Sequence, residues 1–164
     1  MFTMNDLLDI AVKMEKNGKS IYIRALAKIK NNEIKSLLQW MADEEDIHGK
    51  WFLQQKATLD HNFDSTDLTI MLPDILQEMM GEKSLSLDDV DFSKITTTTQ
   101  MLETFIEFEN DTIMFYEFLE TFIEEKDSLA GLKKIIQEEN AHVNKLTAMI
   151  QAIEDQSPRE KNLP

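Results

Sequence analysis

An all-α fold, a four-helix bundle made of two antiparallel helical hairpins joined by a long crossover, is predicted by three features of this sequence. Four segments repeat apolar residues at helical spacing. The 164 residues include only 4 Gly and 3 Pro, so turn signals are few and the elements between them should be long. The two halves of the chain also repeat each other at a constant offset of 94 residues. The length suits one domain with a substantial core, expected over residues 1–155 and followed by a polar tail over 156–164.

The first helix is expected from about Asn5 to Lys30, where Leu7, Leu8, Ala11, Met14, Ile21, Ala25 and Ile29 fall near i, i+3, i+4, i+7 spacing. Thr3 and Asp6 have the spacing of a capping pair at its start, and Asn31-Asn32 marks a tight turn at its end. The second, from about Glu33 to Leu59, sets Leu37, Leu38, Met41, Phe52 and Leu53 inward. Between His61 and Thr98 the pattern weakens. This stretch is the expected crossover, about 60–98, with a short helix from Asp74 to Met80 after Pro73. The threonines from Thr96 to Thr99 resist helix and offer N-cap hydroxyls. A third helix then runs from about Thr99 to Lys126 on Leu102, Phe105, Ile106, Ile113 and Leu119. The fourth, from about Ser128 to Ile153, rests on Leu132, Ile135, Ile136, Leu146 and Ile150.

A formal net charge of -14 argues against nucleic acid and against an anionic membrane surface, since both attract clustered Lys and Arg. No apolar run approaches the roughly 20 residues a membrane span needs. The opening Met-Phe-Thr-Met-Asn-Asp lacks a basic stretch before an apolar one, so a cytoplasmic location is the expectation. With no Cys there is no disulfide, no thiolate zinc site and no cysteine-ligated iron–sulfur centre. Any electrons the protein uses must come from a partner. Apolar residues left over on an acidic bundle point to a homodimer.

The internal repeat carries the chemistry. Glu15 maps to Glu109, Tyr22 to Tyr116, Glu44-Glu45 to Glu138-Glu139, and His48 to His142. Each half therefore reads Glu-x6-Tyr on its first helix and Glu-Glu-x-x-His on its second. Residues i and i+3 share a helix face, so Glu45 and His48 point one way, as do Glu139 and His142. Two hairpins packed face to face bring Glu15, Glu45, His48, Glu109, Glu139 and His142 to one point in the core. Four carboxylates cannot stay buried as bare anions. Two divalent ions balance their charge, and the carboxylate and imidazole donors suit iron, with manganese as the other candidate.

Other residues have plainer readings. Glu44 and Glu138 are rotated by about 100° from the ligand face and are expected to be exposed. His61 lacks the repeat and the preceding glutamate and reads as a loop residue. Tyr22 and Tyr116 are either core aromatics or donors that orient a ligating carboxylate. Met79-Met80 covers a bundle end, and the acidic stretch from Glu120 to Asp127 is a solvated helix end. The short residues Gly18 and Thr112 would leave room beside the metals for peroxide, dioxygen or water.

The motifs Met14-Glu15-Lys16-Asn17-Gly18…Tyr22, Ala42-Asp43-Glu44-Glu45-Asp46-Ile47-His48, Glu109…Phe115-Tyr116 and Gln137-Glu138-Glu139-Asn140-Ala141-His142 resemble those of the ferritin-like diiron carboxylate superfamily, and within it the rubrerythrin-like proteins. The resemblance covers the four helices. It implies that Glu45 and Glu139 bridge two iron ions and so carry the catalysis, that Glu15 and Glu109 are terminal ligands, and that His48 and His142 complete one metal each. Where rubrerythrins proper carry a further glutamate three residues after the third-helix ligand, this chain has Thr112, and it has no rubredoxin-type domain. By resemblance, the function is an oxidoreductase reducing hydrogen peroxide or dioxygen, or oxidising ferrous iron, with electrons from an external carrier of the rubredoxin type. The alternatives are a non-catalytic protein that takes up or buffers iron, and an interaction bundle whose site is structural.

Overall fold

A computed structural model describes residues 3–59 and 90–156. They form four long helices and one 3₁₀ turn: α1 (Met4–Leu26), α2 (Asn32–Thr58), the 3₁₀ turn Phe92–Lys94, α3 (Thr98–Glu120) and α4 (Lys126–Gln156). The short helix expected from Asp74 to Met80, His61, Met79-Met80, most of the crossover and the tail beyond Gln156 lie outside the described residues.

The caps set the helix starts. Thr3 and Asp6 form a reciprocal capping box, in which Asp6 N–H donates to Thr3 Oγ1 (3.3 Å) and Thr3 N–H to Asp6 Oδ2 (2.8 Å). Asn31 caps α2 by accepting from the amides of Glu33 (2.8 Å) and Ile34 (3.0 Å). Thr97 caps α3 through Gln100 N–H (3.1 Å). Helix α1 stops short of Lys30, but Ile29 still turns inward and is buried.

The third helix ends at Glu120, six residues before the expected Lys126. Its last turn holds no basic residue to meet the negative helix end, and further acids there would be repelled. Glu125 serves better at a helix start, where its carboxylate accepts the amides of Asp127 (3.0 Å) and Ser128 (2.6 Å). The acidic stretch is thus a turn and a cap rather than one helix end.

Ion pairs and hydrogen bonds fix the directions. Asp9 pairs with Lys56 and Lys19 with Asp46, so α1 and α2 are antiparallel. Tyr22 reaches Glu109 and Tyr116 reaches Glu15, so α1 and α3 are antiparallel as well. His48 meets Glu138 and His142 meets Glu44, which does the same for α2 and α4. Two antiparallel relations through α1 leave α2 and α3 parallel. The start of α3 therefore lies at the opposite end of the bundle from the end of α2, roughly 35 Å away for a helix of this length. A long crossover is a geometric necessity. Its described end packs Val90 and Phe92 into the core beside Ile21 and Ala25, at the expected end of the bundle.

The core has two apolar clusters. One holds Leu7, Leu8, Ala11, Met14, Phe52, Phe115, Leu119 and Leu132. The other holds Ile21, Leu38, Met41, Leu102, Phe105, Phe108 and Leu146. Every helix runs from one cluster to the other and crosses a polar layer between them. Leu53, expected inward, is 47% exposed, because Phe52 takes the inward position and the next residue is rotated by about 100°. Among the described residues no helix is long and apolar enough to cross a membrane.

Candidate metal centre

The polar layer consists of the six residues expected to meet. Glu15 comes from α1, Glu45 and His48 from α2, Glu109 from α3, and Glu139 and His142 from α4; all six are buried. They form two overlapping groups. Glu15, Glu45, His48 and Glu139 make one, and Glu45, Glu109, Glu139 and His142 the other. Within each group one donor atom per residue lies within 4.8 Å of all the others. Glu45 and Glu139 belong to both.

Distances follow the same plan. His48 Nδ1 lies 2.9 Å from Glu139 Oε1 and 3.6 Å from Glu15 Oε2. His142 Nδ1 lies 2.8 Å from Glu139 Oε2, 3.3 Å from Glu109 Oε1 and 3.4 Å from Glu45 Oε1. Close as they are, these atoms do not meet at hydrogen-bonding angles. Glu15 Oε2, Glu45 Oε1, His48 Nδ1, Glu109 Oε2, both oxygens of Glu139 and His142 Nδ1 are buried without a hydrogen-bond partner. Buried polar atoms are rarely left so, and seven in one layer each carry a desolvation cost. Donor atoms that converge in this way without bonding one another could hold a cation. The residues fit a pair of metal ions.

Electrostatics of the protein groups alone describe the same strain. Burial pushes the Glu45 carboxyl well up, and the neighbouring Glu139 and Glu15 add to it. Burial also raises Glu15, reinforced by Glu139. Glu109 goes to about 7, from burial first and Glu139 second, against the pull of His142. Burial disfavours charge on the histidines, yet the carboxylates outweigh it: Glu139 and Glu15 hold His48 up to about 11, and Glu109 and Glu139 hold His142 up to about 10. Glu139 is the exception among the acids. Burial would raise it, but both imidazoles face it and bring it down to about 2. A metal ion would have to displace the histidine protons to bind.

Tyr22 and Tyr116 combine both of their alternative readings. They are fully buried in the apolar clusters. Their hydroxyls also donate to carboxylates of the opposite hairpin, Tyr22 to Glu109 Oε1 and Tyr116 to Glu15 Oε1. Each bond occupies one oxygen of its glutamate and leaves Oε2 free.

Two expectations need correction. Glu44 and Glu138 are not exposed; their side chains are 22% and 27% accessible, and each meets a histidine of the other hairpin. Rotation by about 100° turns each away from its own ligand face but toward the neighbouring helix. The doubled glutamate in both halves was the sequence signal for them. The room foreseen beside Gly18 is also taken: a Cβ there would stand 2.9 Å from Glu45 Oε2 and 3.2 Å from Phe108 Cε1. Gly18 makes space for a ligand carboxylate. Thr112 is buried, with its hydroxyl donating to Phe108 O (3.1 Å).

Comparison with known proteins identifies the family and the fold. The family model described as Rubrerythrin matches residues 6–150. Among solved structures, a protein from Thermotoga maritima described as a ferritin-like diiron-carboxylate protein superposes with a TM-score of 0.70. It is 26% identical, over 92% of this chain and 95% of that one. No curated protein matches the chain.

Proposed function

This chain belongs to the rubrerythrin family, and on that premise we propose that it is a diiron oxidoreductase that reduces hydrogen peroxide or dioxygen with electrons from an external donor. Glu15, Glu45, His48 and Glu139 would hold one iron, and Glu45, Glu109, Glu139 and His142 the other, since these are the two groups whose donor atoms converge. The observation that carries this reading is the set of seven buried, unpartnered donor atoms converging from four helices. When bound, a ferrous pair supplies the two electrons that convert one peroxide and two protons to two waters.

The chain's own residues supply place and environment. Four carboxylates balance two divalent charges, so the site is neutral while its imidazoles are neutral. Two apolar clusters close the layer above and below and keep bulk water from the donor atoms. The Tyr22 and Tyr116 hydroxyls hold Glu109 and Glu15 by one oxygen each. No cysteine is present to carry electrons, so a separate carrier, of the rubredoxin type, delivers them.

The test is anaerobic reconstitution with ferrous iron, followed by desalting, metal analysis and rapid mixing with peroxide. Two irons per chain, reoxidised within seconds and absent from Glu45→Ala/Glu139→Ala, are expected. Reoxidation no faster than that of free ferrous ion would refute catalysis. That outcome favours the second reading, a protein that takes up or buffers iron. Uptake beyond two irons per chain, or ready transfer to a chelator, distinguishes it.

A further inference from the structure

We propose that the two donor groups are unequal and fill in order: the group around His142 takes the first metal ion, and the group around His48 takes the second only after the Glu45 carboxylate moves. This rests on the two-metal reading above and deepens it. The difference lies in the two carboxylates that both groups share. Glu139 serves them alike, with Oε1 2.9 Å from His48 Nδ1 and Oε2 2.8 Å from His142 Nδ1. Glu45 does not. Its Oε1 lies 3.4 Å from His142 Nδ1, and it makes no comparable approach to His48. Glu139, Glu109 and Glu45 thus all stand within 3.4 Å of the His142 nitrogen. Around His48, Glu139 approaches closely and Glu15 comes to 3.6 Å, while the third arm is turned away.

One substitution within the repeat accounts for the imbalance. Glu45 Oε2 rests against α1 at Gly18, 2.9 Å from where a Cβ would stand, and Phe108 Cε1 walls the same spot at 3.2 Å. That seat is open only because residue 18 has no side chain. The equivalent position on α3 is Thr112, which is buried and whose hydroxyl is committed to Phe108 O at 3.1 Å. By the repeat, its side chain fills the corresponding seat beside Glu139, so Glu139 stays between the two imidazoles. Glu45, drawn into the Gly18 seat, presents only Oε1 to the layer, on the side of His142. The His142 group is therefore assembled before a ion arrives, whereas the His48 group needs a packed carboxylate lifted out, which weakens binding there. Repulsion between two cations would split the steps whichever group filled first. Only the turned carboxylate decides which one it is.

The test uses the full chain, freed of metal and titrated with zinc(II) alone, followed by proton–nitrogen NMR of the imidazole rings. With 3 His in the chain there are three sets of ring signals, and His48→Gln and His142→Gln assign the two that matter. At one zinc per chain the His142 Nδ1 signal should have reached its bound position while that of His48 has not; the second zinc should move His48. Calorimetry of the same titration should show two steps about 10- to 100-fold apart, the scale of one buried polar interaction. In Gly18→Ala the seat is closed, so the first step should weaken and the two signals should move together. A His48 signal that moves first in the wild type, or both moving in proportion to added zinc, overturns the proposal and leaves the two-metal reading standing. The wild-type order persisting in Gly18→Ala overturns it as well, since Glu45 would not be its cause. If Gly18→Ala does not fold, the wild-type order decides alone. No zinc bound by wild type is a different failure, which removes the two-metal reading itself and this proposal with it.

Discussion

The phenol of Tyr22 donates to Oε1 of Glu109, a carboxylate 87 residues away in the chain and on the other hairpin. Burial and the adjacent Glu109 charge both hold that phenol proton on more tightly than usual. Tyr116 repeats the relation with Glu15, so each hairpin supplies the hydroxyl that orients the other's glutamate. Tyr22→Phe keeps the ring but leaves Glu109 Oε1 without its donor, a loss of about 1–3 kcal/mol for a buried acceptor. The expected result is a lower melting temperature and a metal dissociation constant raised about 10-fold, with two ions still bound at saturation. Unchanged affinity in Tyr22→Phe/Tyr116→Phe would show that the hydroxyls do not orient the ligands.

Metal should stabilise the fold by mass action. At 100 times the dissociation constant a single site adds about 2.7 kcal/mol, which is a rise of about 5–10 °C in melting temperature for a chain of this size. Calorimetric scans with and without chelator read it directly. The Glu45→Ala/Glu139→Ala protein should show no shift. A wild-type protein that melts at one temperature in both conditions would contradict the proposed site.

Without metal, stability should fall as pH rises. His48 and His142 are held up to about 11 and about 10 from 6.5, and Glu109 to about 7 from 4.5. A raised folded value means the stabilisation is complete below the unfolded value and lost as pH climbs through the folded one. Glu109 therefore acts between 4.5 and about 7, and the histidines between 6.5 and about 10 to 11. Glu139 has the opposite sign: lowered to about 2, it adds stability above 4.5 that is lost as pH falls toward 2. Chelator-treated protein should melt highest near about pH 5 and progressively lower toward pH 10. His48→Gln/His142→Gln should flatten the alkaline limb. A melting temperature that rises from pH 5 to pH 9 would refute this account.

Gly18 and Thr112 occupy equivalent repeat positions but should respond differently. In Gly18→Ala the new methyl would lie 2.9 Å from Glu45 Oε2, so the carboxylate that belongs to both donor groups must shift. Alanine in a helix is meanwhile better than glycine by up to about 1 kcal/mol. Metal affinity should drop while the metal-free protein is no less stable. Thr112→Val removes a hydroxyl that bonds within its own helix, and affinity should stay within about 3-fold of wild type. Calorimetric metal titration of both variants checks this. Wild-type affinity in Gly18→Ala would mean Glu45 has room the geometry denies it.

The six donors and the bundle were legible because helical periodicity is local. Glu45 and His48 share a face by spacing alone, and the repeat told which other pair must meet them. The third helix was overextended because apolar spacing continues through Phe122 and Ile123, and only the cap formed by Glu125 shows where the chain turns. Leu53 was misread for a similar reason. With Phe52 beside it, the pattern allows either residue to face inward, and packing admits one.

By itself the sequence determined four amphipathic helices, their pairing into hairpins and a carboxylate-rich layer with two histidines, since each follows from residue type and spacing along one helix. Only the tertiary structure decided how the hairpins exchange partners: Tyr22 to Glu109, Tyr116 to Glu15, Glu138 to His48 and Glu44 to His142. It also decided that Gly18 is filled by Glu45. Spacing fixes which face of a helix a residue occupies, but which side chain that face meets depends on the rotation and offset of the neighbouring helix. Those are set by how two apolar clusters pack against each other, a property of all four helices at once.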